Sequence, residues 1–169
     1  MPLLSIRDLV EADFPSVAAL SRSLGRTCNP GLWRGGECRL VISSAETGVV
    51  AWARAHYWDP QDPLASAGFY LGGVEVAPNY QGLGLAHRLS RARLAWVAER
   101  ATDAYCVVNS RNAASIALQR SLGFVEQARA ARFGTVEFSG GEGILFRREL
   151  QSSDASAGSR TFTIEIKDQ

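Results

Sequence analysis

The chain is poor in residues that bind metals or staple small folds. Its 169 residues include three cysteines, Cys28, Cys38 and Cys106, and two histidines, His56 and His87. The cysteine count is odd, no CxxC occurs, and neither histidine has cysteine or carboxylate company at ligand spacing. A disulfide framework and a zinc site are both disfavoured. The pattern reads as reduced thiols in a cytoplasmic protein, with a Cys28–Cys38 bridge across a loop as the alternative. No apolar run approaches the roughly 20 residues of a membrane span. The first residues, MPLLSIRDLVEADF, turn charged too early for a signal peptide. Charge of one sign is also missing: the formal net charge is +1, so no global field draws nucleic acid or an anionic membrane.

What is present is an ordinary globular composition, 46% hydrophobic and 21% charged, at a length that suits one domain with a real core. LLSIRDL (3–9) alternates as a strand. EADFPSVAALSRSLG (11–25) places Val17, Leu20 and Leu24 at helical spacing and stops at Gly25. A loop over 26–37 leads to paired strands at 38–44 and 48–58. A second loop, 59–66, precedes a strand over 67–78, with Gly72 and Gly73 marking a bulge. A helix over 84–100 turns Leu85, Leu89, Ala92 and Trp96 inward and Arg88, Arg91 and Glu99 outward. A strand at 103–110, a helix at 111–122 ended by Gly123, and strands at 124–129 and 141–150 follow. SSDASAGS (152–159) has linker composition. RTFTIEIK (160–167) then alternates with Phe162, Ile164 and Ile166 on one side. The order predicts a mixed α/β sheet with helices on both faces. The division is a domain over 1–150, and a linker plus an extra strand over 151–169.

The stretch VAPNYQGLGLAHRL (76–89) puts Gly82 and Gly84 where a helix begins, although glycine inside a helix costs roughly 1 kcal/mol relative to alanine. A helix N-terminus carries unpaired N–H groups and about half a positive charge. Glycines let such a backbone close on a phosphate. A plain tight turn is the alternative. Two nucleotide patterns fail on the residues. GxGxxG requires glycine at 87, where His87 stands, and the Walker loop requires a Lys-Ser/Thr pair that is missing.

VAPNYQGLGLA resembles the acyl-coenzyme-A loop of the GNAT superfamily of N-acetyltransferases, [Q/R]-x-x-G-x-[G/A], with Gln81, Gly84 and Ala86 in its fixed places and the Val-x-Pro lead-in at Val76 and Pro78. NAASIALQRSLGF (112–124) is similar to that family's next element, Asn-x-x-[A/S] followed by a helix ending in Leu-Gly-Phe. The resemblance covers about residues 3–150. It implies a largely antiparallel sheet splayed at the coenzyme-binding strand. It also implies acetyl-coenzyme A as co-substrate and direct transfer to a primary amine of a small molecule or peptide in a ternary complex. Backbone donors of Gly82, Leu83, Gly84, Leu85 and Ala86 would hold the diphosphate, with Val74 and Val76 along the pantetheine arm and Asn112 and Ser115 beside it. Arg88, Arg91, Arg93, Arg111 and Arg120 are candidates for the 3′-phosphate. The family often forms homodimers, and a homodimer is expected here.

One departure matters. The tyrosine that many members place in the Asn-bearing helix is Gln119 here. An amide gives up no proton, so Gln119 is carried over as a hydrogen-bond donor to the departing sulfur; Tyr80 and Tyr105 are alternative acids, and the spacing favours neither. Glu75, beside Val76 but on the opposite face by strand alternation, is the candidate base, with His56 as competitor. Trp33, His56 and Trp58 are candidate acceptor-binding residues. Glu37, Asp59 and Asp62 are the carboxylates near that region. The departure keeps a second reading open, a non-catalytic acyl-coenzyme-A-binding sensor or scaffold.

Overall fold

The computed structural model describes residues 1–27, 31, 34, 35, 37–156 and 158–166. Strand β1 (Leu3–Asp8) leads through a 3-10 turn at Glu11–Asp13 into helix α1 (Phe14–Ser23). Strands β2 (Cys38–Ser44), β3 (Gly48–Trp58) and β4 (Gly68–Val76) follow, then helix α2 (Leu85–Ala98), strand β5 (Asp103–Asn109) and helix α3 (Ala113–Ser121). Strands β6 (Val125–Ala130), β7 (Arg132–Phe133), β8 (Val136–Glu137), β9 (Gly143–Glu149) and β10 (Thr161–Thr163) complete the described chain. Eight strands form one sheet in the order β10-β1-β2-β3-β4-β5-β9-β6, and β7 pairs with β8 apart from it. Every ladder is antiparallel except β4–β5. This is the mixed, splayed α/β sheet that the sequence leads one to expect.

Alternation along β3 decides which helix covers which face. Ala51, Ala53 and Ala55 lie fully buried in one core with Leu85, Leu89 and Ala92 of α2. Three methyl-sized side chains in a row let the helix pack close to the sheet. Trp52 points the other way and joins Val41, Val17 and Leu20 under α1.

The tail folds back rather than trailing. Ser152–Ala155 forms a 3-10 turn, tied by the Arg148–Asp154 ion pair at 2.5 Å. β10 then pairs with β1 of its own chain, Leu3 opposite Thr163 and Ser5 opposite Thr161. Arg88 covers the Phe162 ring at 4.1 Å, and Ile164 is buried. The strand expected over 160–167 shortens because β1 begins at Leu3, which leaves residues 164–166 without a ladder partner; residue 167 lies outside the described residues. The β7–β8 hairpin escapes sequence reading because two residues per strand cannot show an alternation.

Candidate functional site

β4 and β5 pair only at Phe69↔Ala104 and Tyr70↔Tyr105. Beyond those positions β4 stays with β3 and β5 stays with β9, so the sheet divides. A cavity of about 800 Å³ occupies the division. The divergence coincides with a bulge at the two glycines expected to mark one. Ala53 pairs with Val74 and Ala55 with Leu71, so Gly72 and Gly73 together face Arg54. Arg93 holds the bulge from the α2 side. Its Nη1 donates to the carbonyls of Arg54 at 2.7 Å and Gly72 at 2.9 Å, and its Nη2 donates to Ser90 Oγ at 2.9 Å. Arg93 is completely buried, and burial lowers its pKa to about 10. It is therefore structural, and the expectation that it could serve a coenzyme phosphate is corrected.

At the end of β4 a 3-10 turn at Pro78–Tyr80 redirects the chain, and Gln81 Nε2 donates back to the Val76 carbonyl at 3.1 Å. Gly82 and Gly84 have φ of 75° and 78°, the left-handed region that favours glycine. A Cβ at either would meet nothing within 4 Å. Gly84 is the N-cap of α2, and no side chain caps it. The first N–H groups of α2 thus have no side-chain cap, and the space beside Gly82 and Gly84 is open. Leu85 is fixed in the core and Leu83 packs against it, so their side chains anchor a loop whose main chain stays available. Val74, Val76, Gln81, Gly82 and Ala86 line the cavity. Asn112 and Ser115 line it from α3 and also cap that helix, Asn112 Oδ1 accepting from the Ser115 N–H at 3.1 Å.

On the α1 side the cavity carries the polar groups. Glu75 is only 6% exposed. Its Oε1 accepts from Ser21 Oγ and Trp52 Nε1, both at 2.8 Å. Its Oε2 has no hydrogen bond and lies 3.9 Å from Arg26 Nε. Glu75 and Val76 do project to opposite faces, Val76 toward the core under α2. His56 lines the cavity with a buried, unpartnered Nδ1. Burial and then the Arg54 charge push its pKa down to about 4, so the imidazole is neutral at neutral pH. Trp58 lines the cavity and meets Tyr70 edge to face at 4.9 Å. Gln119 reaches in from α3, 6% exposed, with Oε1 unpartnered. Trp33 lies outside the described residues.

Several expectations fail here. Tyr80 and Tyr105 do not line the cavity; Tyr80 packs on the core and Tyr105 stacks on Tyr70. The tyrosine that does line it, Tyr70, donates its hydroxyl to the Ser66 carbonyl at 2.7 Å. Glu37, Asp59 and Asp62 stay outside the cavity. Asp62 instead accepts from the N–H groups of Gly134 and Leu64, tying the 59–66 loop to the β7–β8 turn. The sequence reading overlooked Arg26 and Arg54. Arg54 was within reach of the alternation that pairs His56 with Trp58; Arg26 lies in a loop with no period. Among the described residues no His/Cys/Asp/Glu group could hold a metal, and no helix is long and apolar enough to cross a membrane.

A sequence model of the acetyltransferase (GNAT) family matches residues 3–124. No curated protein matches the chain by sequence. Among solved structures, the ribosomal-protein-S18-alanine N-acetyltransferase from Escherichia coli superposes with a TM-score of 0.68 at 21% identity, over 86% of this chain and 93% of that one. Ard1 from Thermoplasma volcanium gives 0.71 at 17% identity, over 88% and 99%. Arabidopsis thaliana Naa50, solved in complex with the bisubstrate analogue CoA-Ac-MVNAL, gives 0.69 at 11% identity, over 87% and 99%. At these identities the likeness establishes the fold.

Proposed function

The chain belongs to the acetyltransferase (GNAT) family, and from that premise we propose that it moves an acetyl group from acetyl-coenzyme A to a primary amine of a small molecule or peptide, directly, in a ternary complex. The observation that carries this reading is one continuous cavity. It joins the bare start of α2 at Gly82–Ala86 to a buried carboxylate, Glu75, through the gap between β4 and β5. The diphosphate of the coenzyme is assigned to the N–H groups behind Gly82 and Gly84, and the pantetheine arm to the exposed edge of β4 at Val74–Val76. Asn112 and Ser115 line the opposite wall. The thioester supplies an activated acetyl group.

The neutral amine nitrogen attacks the thioester carbonyl, a C–N bond forms and the C–S bond breaks; coenzyme A leaves as thiolate, and the proton shed by the new amide nitrogen balances its protonation to the thiol. An alkyl ammonium of pKa about 10 must first lose a proton. Glu75 is assigned as its acceptor. Trp52 and Ser21 hold one oxygen, and the other has no hydrogen bond. His56, held neutral with a pKa of about 4, lacks the near-neutral pKa that usually suits histidine to this work. The Gln119 amide is assigned as a hydrogen-bond donor to the sulfur. Proximity and orientation, which can contribute about 7–11 kcal/mol, do not depend on a tyrosine. Free thiols at Cys38 and Cys106 support a reducing, cytoplasmic setting.

Gln119 also favours a second reading, an acyl-coenzyme-A-binding sensor or scaffold. Thiol release from acetyl-coenzyme A with a panel of amines separates the two. The enzyme reading expects amine-dependent release. It also expects Glu75→Gln to lower turnover by roughly 10²–10⁴-fold, most at low pH, with coenzyme affinity intact. Coenzyme binding by calorimetry with no release from any amine supports the sensor.

A further inference from the structure

We propose that the acceptor is an amine that also bears a carboxylate, and that Arg54 is the residue that binds this carboxylate. The inference rests on the acetyltransferase reading and names the substrate class of the same cavity.

Arg54 lies in the middle of β3, on the face that carries Trp52, His56 and Trp58, and it lines the cavity. Its stem crosses Gly72 so closely that a Cβ there would lie 2.9 Å from Arg54 Cγ. Its carbonyl is engaged by Arg93, yet its guanidinium makes no hydrogen bond or ion pair among the described residues. Burial lowers its pKa from the ordinary arginine value. A half-buried cation without a partner is unfavourable, and the planar fork of arginine matches a carboxylate in two parallel hydrogen bonds.

Among the described residues Arg54 meets no such carboxylate. Glu75 is the one acidic side chain among them that lines the cavity. Its Oε1 already takes two donors, and its Oε2 lies near Arg26. Arg26 and Arg54 both line the cavity against that single carboxylate, and His56 adds no negative charge. A polyamine or other polycation would meet the wrong field.

The spacing also fits. Glu75 pairs with Trp52, and Arg54 stands two residues further along the same face of β3, roughly 7 Å beyond Trp52 and so diagonal to Glu75 across the β3–β4 pair. An amine beside Glu75 with its carboxylate toward Arg54 is the arrangement of an α-amino acid.

The test uses the full chain and matched probes: L-leucine, L-phenylalanine and L-glutamine, each beside its carboxamide and its decarboxylated amine, with spermidine as a polycation. Thiol release is expected to favour at least one acid over its carboxamide by about tenfold or more in kcat/KM. Arg54→Gln should erase that preference, and Arg54→Lys should keep part of it. Coenzyme A affinity should be the same in all three proteins. Equal rates for every acid and its carboxamide, a preference for spermidine, or discrimination that survives in Arg54→Gln would overturn the proposal. If no amine releases thiol, calorimetry with the N-acetylated acids and carboxamides in the presence of coenzyme A decides Arg54 by itself. Preference for the acids that is lost in Arg54→Gln supports the assignment, and absence of preference overturns it.

Discussion

Arg93 brings a positive charge into the centre of the sheet without an anion to meet it. Its ionisable neighbours are Arg54, a second cation, and Cys38 and Cys106; burial raises the two thiols to about 11 and about 12, so both are neutral near pH 7. What holds the guanidinium is a pair of carbonyls, those of Arg54 and Gly72, and the Ser90 hydroxyl. Removing it takes the donor from all three acceptors, each loss worth about 1–3 kcal/mol where no water replaces it, offset in part by relief from burying a charge. Arg93→Met is therefore expected to lose on the order of 2 kcal/mol in urea unfolding, with Arg93→Lys in between because an ammonium lacks the fork. A methionine variant as stable as the parent would show that Arg93 does not pin the bulge. Helical spacing puts Arg93, four residues after Leu89, on the inward side of α2 and Arg91 on the outward one. One faces the sheet and the other water, but helical phase alone does not say whether a long side chain keeps its charged end buried.

At the scale of elements, three devices make the site: the bulge that turns β4 away from β5, the glycine turn before α2, and the asparagine cap of α3. All three show in sequence as glycine or capping residues, one pair inside a strand and the others at helix starts, where local backbone chemistry decides the conformation. Gly82→Val and Gly84→Val each place a β-branched residue at φ near 75–78°, a genuine outlier for such a side chain. Each also puts bulk into the space that the coenzyme diphosphate is assigned. Calorimetry is expected to show at least a tenfold loss of coenzyme A affinity, with far-ultraviolet dichroism unchanged. Undiminished affinity in both variants would remove this turn as the diphosphate cradle.

Across the whole molecule, the tail closes one edge of the sheet. β10 covers β1, and Phe162 and Ile164 pack against the core. A chain ending at residue 150 is expected to unfold several degrees lower, since burying one aliphatic side chain contributes about 1.5–3 kcal/mol. Light scattering on both lengths tests the expected homodimer. A dimer that persists without residues 151–169 does not use the tail, and a monomer at full length removes the dimer. The element order and the glycine turn before α2 could be read from the sequence, because hydrophobic period and glycine placement act over neighbouring residues. Contacts between residues distant in sequence were settled only by folding. Glu75 acquired Ser21 and Trp52 as partners, Tyr80 and Tyr105 were turned away from the cavity, and Asp62 was diverted to a backbone turn. Among the described residues, Arg54 was left facing the cavity without a counterion. Charge pairing and burial depend on which strands lie side by side, and local pattern carries no record of that.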